Sequence, residues 1–219
     1  MRLHWMVIAA VDTKQESRRA RIADAVLELG SREGIERVTL RAVATEAEVS
    51  MGQVQHYFAS RDDMLLYAVN HGMQGMERRI HERVGGIDPE AADLDTALGM
   101  LGSMLVEMLG ADPETRRLLR VAGAFLSLPA ADERIVRALT GDDAQLKGFT
   151  VQTIGWAQAM GRADPSIDPI QEAEILWALV GQLGSDVALG RHDRAAAEAT
   201  LAYALNRISG SASGPVAVG

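Results

Sequence analysis

The sequence predicts an all-α chain of nine helices in two domains, a three-helix head followed by a larger helical body. Three observations predict it. Apolar residues recur at helical spacing along most of the length, and no stretch sustains the alternation of a strand. Capping residues stand ahead of each apolar stripe, with Gly or Asp-Pro at most breaks. The 219 residues are 47% hydrophobic with mean hydropathy near zero, enough for a sizeable core.

The elements follow in order. Residues 1–13 read as a disordered leader, because "MRLHWMVIAAV" is too short to span a bilayer and lacks a small-residue cleavage site. Ser17 is placed to cap a first helix with Ile22, Ala25, Val26 and Leu29 inward, ending at Gly30. Thr39 caps a short second helix over 40–47 with Leu40, Val43, Ala44 and Ala47 inward. Ser50 opens a third over 50–58, where Ser50-Met51-Gly52-Gln53 fits the S-x-x-Q capping box. Ser60 opens a long fourth helix with Leu65, Val69, Met73, Met76 and Ile80 on one stripe, ending near Val84.

Downstream, Asp88-Pro89, Asp112-Pro113 and Asp168-Pro169 mark helix starts, since Asp caps and Pro suits the first helical position. These helices run to Gly110, Leu128 and Gly190. One segment spans Ala131 to Gly161, with Gly141 and Gly148 weakening its interior. Asp193 starts the last helix, to Ile208, and the Gly/Ser-rich residues 210–219 form a flexible tail. The expected domains are therefore 14–60 and 61–209.

Composition narrows the chemistry. No cysteine is present, which excludes thiolate zinc sites, disulfide scaffolds and cysteine nucleophiles and suits a reducing, cytoplasmic setting. The five histidines show no ligand spacing, and no P-loop, G-x-G-x-x-G or G-x-S-x-G occurs, so neither enzyme, metal nor cofactor is expected. Net charge is −8, but residues 1–71 carry nine Lys or Arg against ten Asp or Glu. Lys14, Arg18, Arg19 and Arg21 cluster there, a local basic arm suited to phosphate.

The second and third helices are separated by a turn of about three residues, the spacing of a helix-turn-helix whose second helix enters the DNA major groove. The residue types fit that role. Ser50 caps the third helix, and the amides of Met51 and Gly52 at its N-terminus favour a phosphate, with Gly52 allowing close approach. Gln53 and Gln55 can pair with adenine, His56 can donate or accept, and the Tyr57 hydroxyl can reach a phosphate. Thr39 and Arg41 start the preceding helix, and Arg61 adds a cation at the next one.

Residues 34–65, "GIERVTLRAVATEAEVSMGQVQHYFASRDDML", resemble the DNA-binding domain of the TetR family of transcriptional regulators. The resemblance rests on Gly34, Thr39, Val49-Ser50, Gly52, His56-Tyr57-Phe58 and Ser60-Arg61-Asp62. It implies a ligand-responsive repressor that binds a palindromic double-stranded operator as a homodimer, with a small effector and no membrane. Its rival is a helical interaction protein or an activator with the same head. Three departures stand out. Glu48 occupies the turn where the family has Gly, and a left-handed backbone there would cost a non-Gly residue about 1–2 kcal/mol, so another turn conformation is expected. Gln55 replaces an aromatic residue, and Arg61 replaces Lys.

The family's bodies bind effectors and dimerise, and the sequence adds detail. In helix 169–190, Leu176, Leu179, Val180, Leu183 and Val187 make one apolar face, while Trp177, Gly181, Gly184 and Ala188 make a second. Ala195, Ala199 and Ala202 lie beside the apolar face of the last helix. These small-residue faces are expected to meet a partner subunit. Met104, Met108, Phe125, Phe149, Trp156 and Trp177 are the expected apolar lining of an effector pocket, with Gln152 as a polar anchor.

Overall fold

The computed structural model describes residues 13–84, 93–127, 132–140 and 143–209. The leader through residue 12, the Asp88-Pro89 start, Gly141 and the tail lie outside them. The described residues form ten α-helices, one 3-10 turn and no strand.

The first unit takes the described chain up to Glu77 and again from Pro113 through Thr140. Helix α1 (Thr13–Glu33) leads through a 3-10 turn (Ile35–Arg37) to α2 (Leu40–Glu46), α3 (Met51–Tyr57) and the first two thirds of α4 (Arg61–Val84); α6 (Pro113–Leu126) and α7 (Glu133–Thr140) complete it. Ile22, Val26, Val43, Val54, Phe58, Leu65, Leu118, Val121, Phe125 and Ile135 bury its core. α1 runs past Gly30. A Cβ at Gly30 would lie 3.0 Å from the Val121 side chain, so this glycine admits α6 and does not stop the helix. The helix breaks at Gly34, whose φ of 93° is open to glycine.

The assignment of α6 and α7 to this unit departs from a boundary at residue 61. The amphipathic α6 turns Leu118, Val121 and Phe125 into the same core as the inner face of α1. Sequence spacing reveals such a stripe but not what it meets.

The second unit runs Arg78–Asp112 and then from Asp143 onward among the described residues. It holds α5 (Leu94–Met108), α8 (Asp143–Ala159), α9 (Pro169–Ala188) and α10 (Arg194–Ser209). The segment expected as one helix from Ala131 to Gly161 is two, α7 and α8. Asp93 caps α5, accepting from the Thr96 N–H at 2.9 Å. Asp168 caps α9, accepting from the Ile170 N–H at 2.9 Å, with Pro169 at the first helical position. Leu101, Leu105, Ile154, Leu176, Val180, Leu201 and Ile208 are among its core. No single described helix is long and apolar enough to cross a membrane.

Candidate nucleic-acid interface

The helix-turn-helix is built around α2 and α3. Thr39 caps α2, its hydroxyl accepting from the Ala42 N–H at 3.1 Å. At the other end of α2 the chain reverses at Glu48, which does adopt the left-handed region, with φ 54°. The Val49 N–H bonds back to the Ala44 carbonyl at 2.9 Å, and that of Glu48 to Thr45 at 3.2 Å. These are the two bonds of a Schellman stop. Arg21 of α1 donates to the Ala47 carbonyl at 2.8 Å, placing a cation at the negative end of the helix. The expectation of another turn conformation is thus corrected. The two bonds and the Arg21 pin hold the glutamate where glycine would sit more cheaply.

α3 opens on the full capping box: the Gln53 N–H donates to the Ser50 hydroxyl at 3.2 Å, and the Gln53 side-chain oxygen accepts from the Ser50 N–H at 2.9 Å. Val54 is fully buried and Phe58 nearly so, because i and i+4 point inward. The opposite face presents Met51, Gly52, Gln53, Gln55 and His56, all exposed and none carrying a fixed charge. Tyr57 is half-buried, with the His56 ring edge-on at 5.2 Å.

The box alters the role expected for Gln53. Pairing with adenine needs both its amide oxygen and its NH₂, and one of that oxygen's two lone pairs is already taken by the Ser50 N–H. Gln53 in this geometry keeps its NH₂ and one lone pair of that oxygen, whereas Gln55 keeps both ends wholly free.

Two expected phosphate contacts are otherwise engaged. The Arg19 guanidinium lies 4.3 Å from the centroid of Tyr67 and 5.6 Å from that of Phe58, with Glu16 at 3.9 Å. It is a cation on an aromatic shelf inside the first unit. Arg61 donates to two main-chain carbonyls, those of Val38 and Ile35. Arg18 and Arg41 are exposed, and Lys14 falls in the first turn of α1. Arg37, overlooked from the sequence, is exposed in the 3-10 turn two residues before Thr39. Its signal was a second arginine, beside Arg41, flanking the expected N-cap.

In the second unit, the residues expected to line one pocket do not share one environment. Phe125 belongs to the core of the first unit. Met104 is 1% exposed, Met108 and Phe149 are half-buried, Gln152 is exposed and Trp156 is 41% exposed. The Trp177 indole donates to the Thr150 hydroxyl at 2.9 Å, fixing it against α8. A fully buried carboxylate, Glu107, lies one turn beyond Met104 and takes a 3.0 Å bond from Arg79, which also reaches Asp112 at 2.6 Å. Its only sign in the sequence is one acid inside the apolar run "MLVEML".

The expected small-residue face of α9 also divides. Gly184 and Ala188 are buried because they extend the i+4 series Leu176, Val180 into the core. Gly181 is exposed, with open space around it, beside Ile175, Ala178 and Gln182. On α10, Ala195, Ala199 and Tyr203 are exposed and Ala202 is half-buried.

Residues 22–68 match the sequence profile of bacterial regulatory proteins of the tetR family. The chain is 29% identical over 168 residues to the HTH-type transcriptional regulator PksA of Bacillus subtilis, spanning 77% of each chain. It is 30% identical over 168 residues to the HTH-type transcriptional repressor KstR of Mycolicibacterium smegmatis, spanning 74% of this chain and 72% of that one. The crystal structure of a TetR-family regulator from Rhodococcus sp. shares the fold with a TM-score of 0.68 at 23% identity, over 89% of this chain and 99% of that one.

Proposed function

The chain belongs to the tetR family of bacterial regulatory proteins, and we propose that it is a ligand-responsive repressor, binding a palindromic operator as a homodimer and released by a small apolar or amphipathic effector. It is a DNA-binding transcriptional regulator and not an enzyme. We place it in the cytoplasm, with the chromosome.

One observation carries the reading. α3 turns five uncharged residues, Met51 to Gln53 with Gln55 and His56, outward from a helix whose entry is fixed by a capping box and a Schellman turn. A rigid, hydrogen-bonding and uncharged helix face is what reading base edges requires. Gln55 is assigned to adenine, His56 and the Gln53 NH₂ to base acceptors, and Arg18, Arg37, Arg41 and Lys14 to phosphates. The amides of Met51 and Gly52 and the ring of Tyr57 are assigned to the backbone beside them.

Repression follows the named role of the KstR relative. Dimerisation is assigned to the exposed strip Ile175, Ala178 and Gly181 of α9 with Ala195, Ala199 and Tyr203 of α10. Two heads read one face of B-DNA only at a separation of about 34 Å or a multiple of it. An effector among Met104, Met108, Phe149 and Trp177 would act through its different affinity for two head spacings. A coupling of about 1–3 kcal/mol changes DNA affinity roughly 5–150-fold. The direct test is a salt-dependent mobility shift on the DNA upstream of the coding sequence. Retarded complexes insensitive to salt, or none at all, refute the assignment of α3.

A further inference from the structure

We infer that Arg61 is a positioning residue of the DNA-reading unit, holding the turn that launches α2, and is not a phosphate ligand; the inference rests on the DNA-binding reading above. Arg61 Nε donates to the Val38 carbonyl at 2.6 Å and Nη2 to the Ile35 carbonyl at 2.5 Å. The Val38 carbonyl falls between the 3-10 turn and α2, where no helical N–H is aligned to meet it, and a buried carbonyl needs a donor. The turn starts at Gly34, with φ 93° and ψ 155°, and leads to the N-cap Thr39. Ile35 and Val38, at 4% and 0% exposure, anchor its apolar side. The Arg61 fork holds the carbonyl side. Where Thr39 stands, and therefore how α2 and α3 meet DNA, depends on both.

The position of Arg61 tells against a role based on charge alone. It is the first residue of α4, where the helix dipole disfavours a cation. Its Nη1 faces Asp62 at 3.9 Å, which lowers the net charge offered to a phosphate. An arginine here supplies two nitrogens held apart in one plane, whereas a lysine supplies one.

The test uses the full chain and a duplex selected from a random-sequence pool, comparing Arg61→Gln, Arg61→Lys and Arg18→Gln with the wild type. Both Arg61 variants should lose affinity about tenfold, the order set by charge-assisted hydrogen bonds. The slope of log K against log salt should stay at the wild-type value, while Arg18→Gln flattens it by about 0.9. Without DNA, amide exchange in peptides covering 34–43 should accelerate in both Arg61 variants, with peptides from α9 and α10 unchanged. The opposite pattern overturns the inference: a slope flattened in Arg61→Gln, restored in Arg61→Lys, and unaltered exchange at 34–43. Because exchange is read without DNA, a wild type that binds no duplex counts against the DNA-binding reading while exchange still decides the clamp.

Discussion

Glu48→Gly should stabilise the first unit by about 0.5–1 kcal/mol. Glu48 is the one non-glycine residue with positive φ among the described residues, at 54°. At Gly110, Gly161 and Gly190, with φ 73°, 70° and 69°, the chain uses glycine to end a helix. A side chain in this region costs about 1–2 kcal/mol, and glycine recovers that cost less about 0.5–1 kcal/mol for the extra freedom of the unfolded chain. The turn cannot relax instead, because Val49, Glu48 and Ala47 are all held by the bonds to Ala44, Thr45 and Arg21. Removing a carboxylate also matters, since Glu48 shares an open depression of about 320 Å³ with Asp24, Glu28 and Glu46 against only two cations, Arg21 and Arg117. Glu48→Gln controls for that charge while keeping the Cβ. At equal protein concentration, the glycine variant should melt about 1–4 °C above Glu48→Gln. Amide exchange across α2 should slow by a few-fold, reporting the first unit directly. A glycine variant no more stable than Glu48→Gln would refute the argument from backbone strain.

Gly181→Leu should leave the monomer folded, because a Cβ there meets nothing within 4 Å, yet convert dimers to monomers in sedimentation; persistent dimers would move the interface off α9. Arg79→Leu should destabilise the second unit by roughly 3 kcal/mol in urea unfolding, because it withdraws a cation bonded to the fully buried Glu107. Ser50→Ala should cost about 1 kcal/mol of stability by opening the capping box, and a loss under 0.3 kcal/mol would show the box to be weak. Burial, then the hydrogen bond donated to Glu16, pushes the Tyr67 phenol up to about 12. The unfolded phenol titrates near 10, so this stabilisation is whole below about pH 10 and is lost as pH rises toward 12. A titration at 295 nm should show one late step that Tyr67→Phe removes.

Local physics was legible in the sequence because it acts over a few residues. The caps at Thr39, Ser50 and Asp168, the box between Ser50 and Gln53, and the inner faces of α1, α2 and α4 follow from short-range hydrogen bonding and helical period, and the described structure holds them. The order of these elements also pointed to the family. What the tertiary structure decided concerns partners far apart in the chain. Gly30 read as a stop until Val121 stood against it, 91 positions on. Gly184 and Ala188 read as a free face until the second core claimed them. Arg19 and Arg61 read as phosphate cations, because charge is visible in a sequence. The Tyr67 ring beneath one and the Val38 carbonyl beside the other are not. A side chain's type sets the interactions it can make; only the fold brings up the group that takes them.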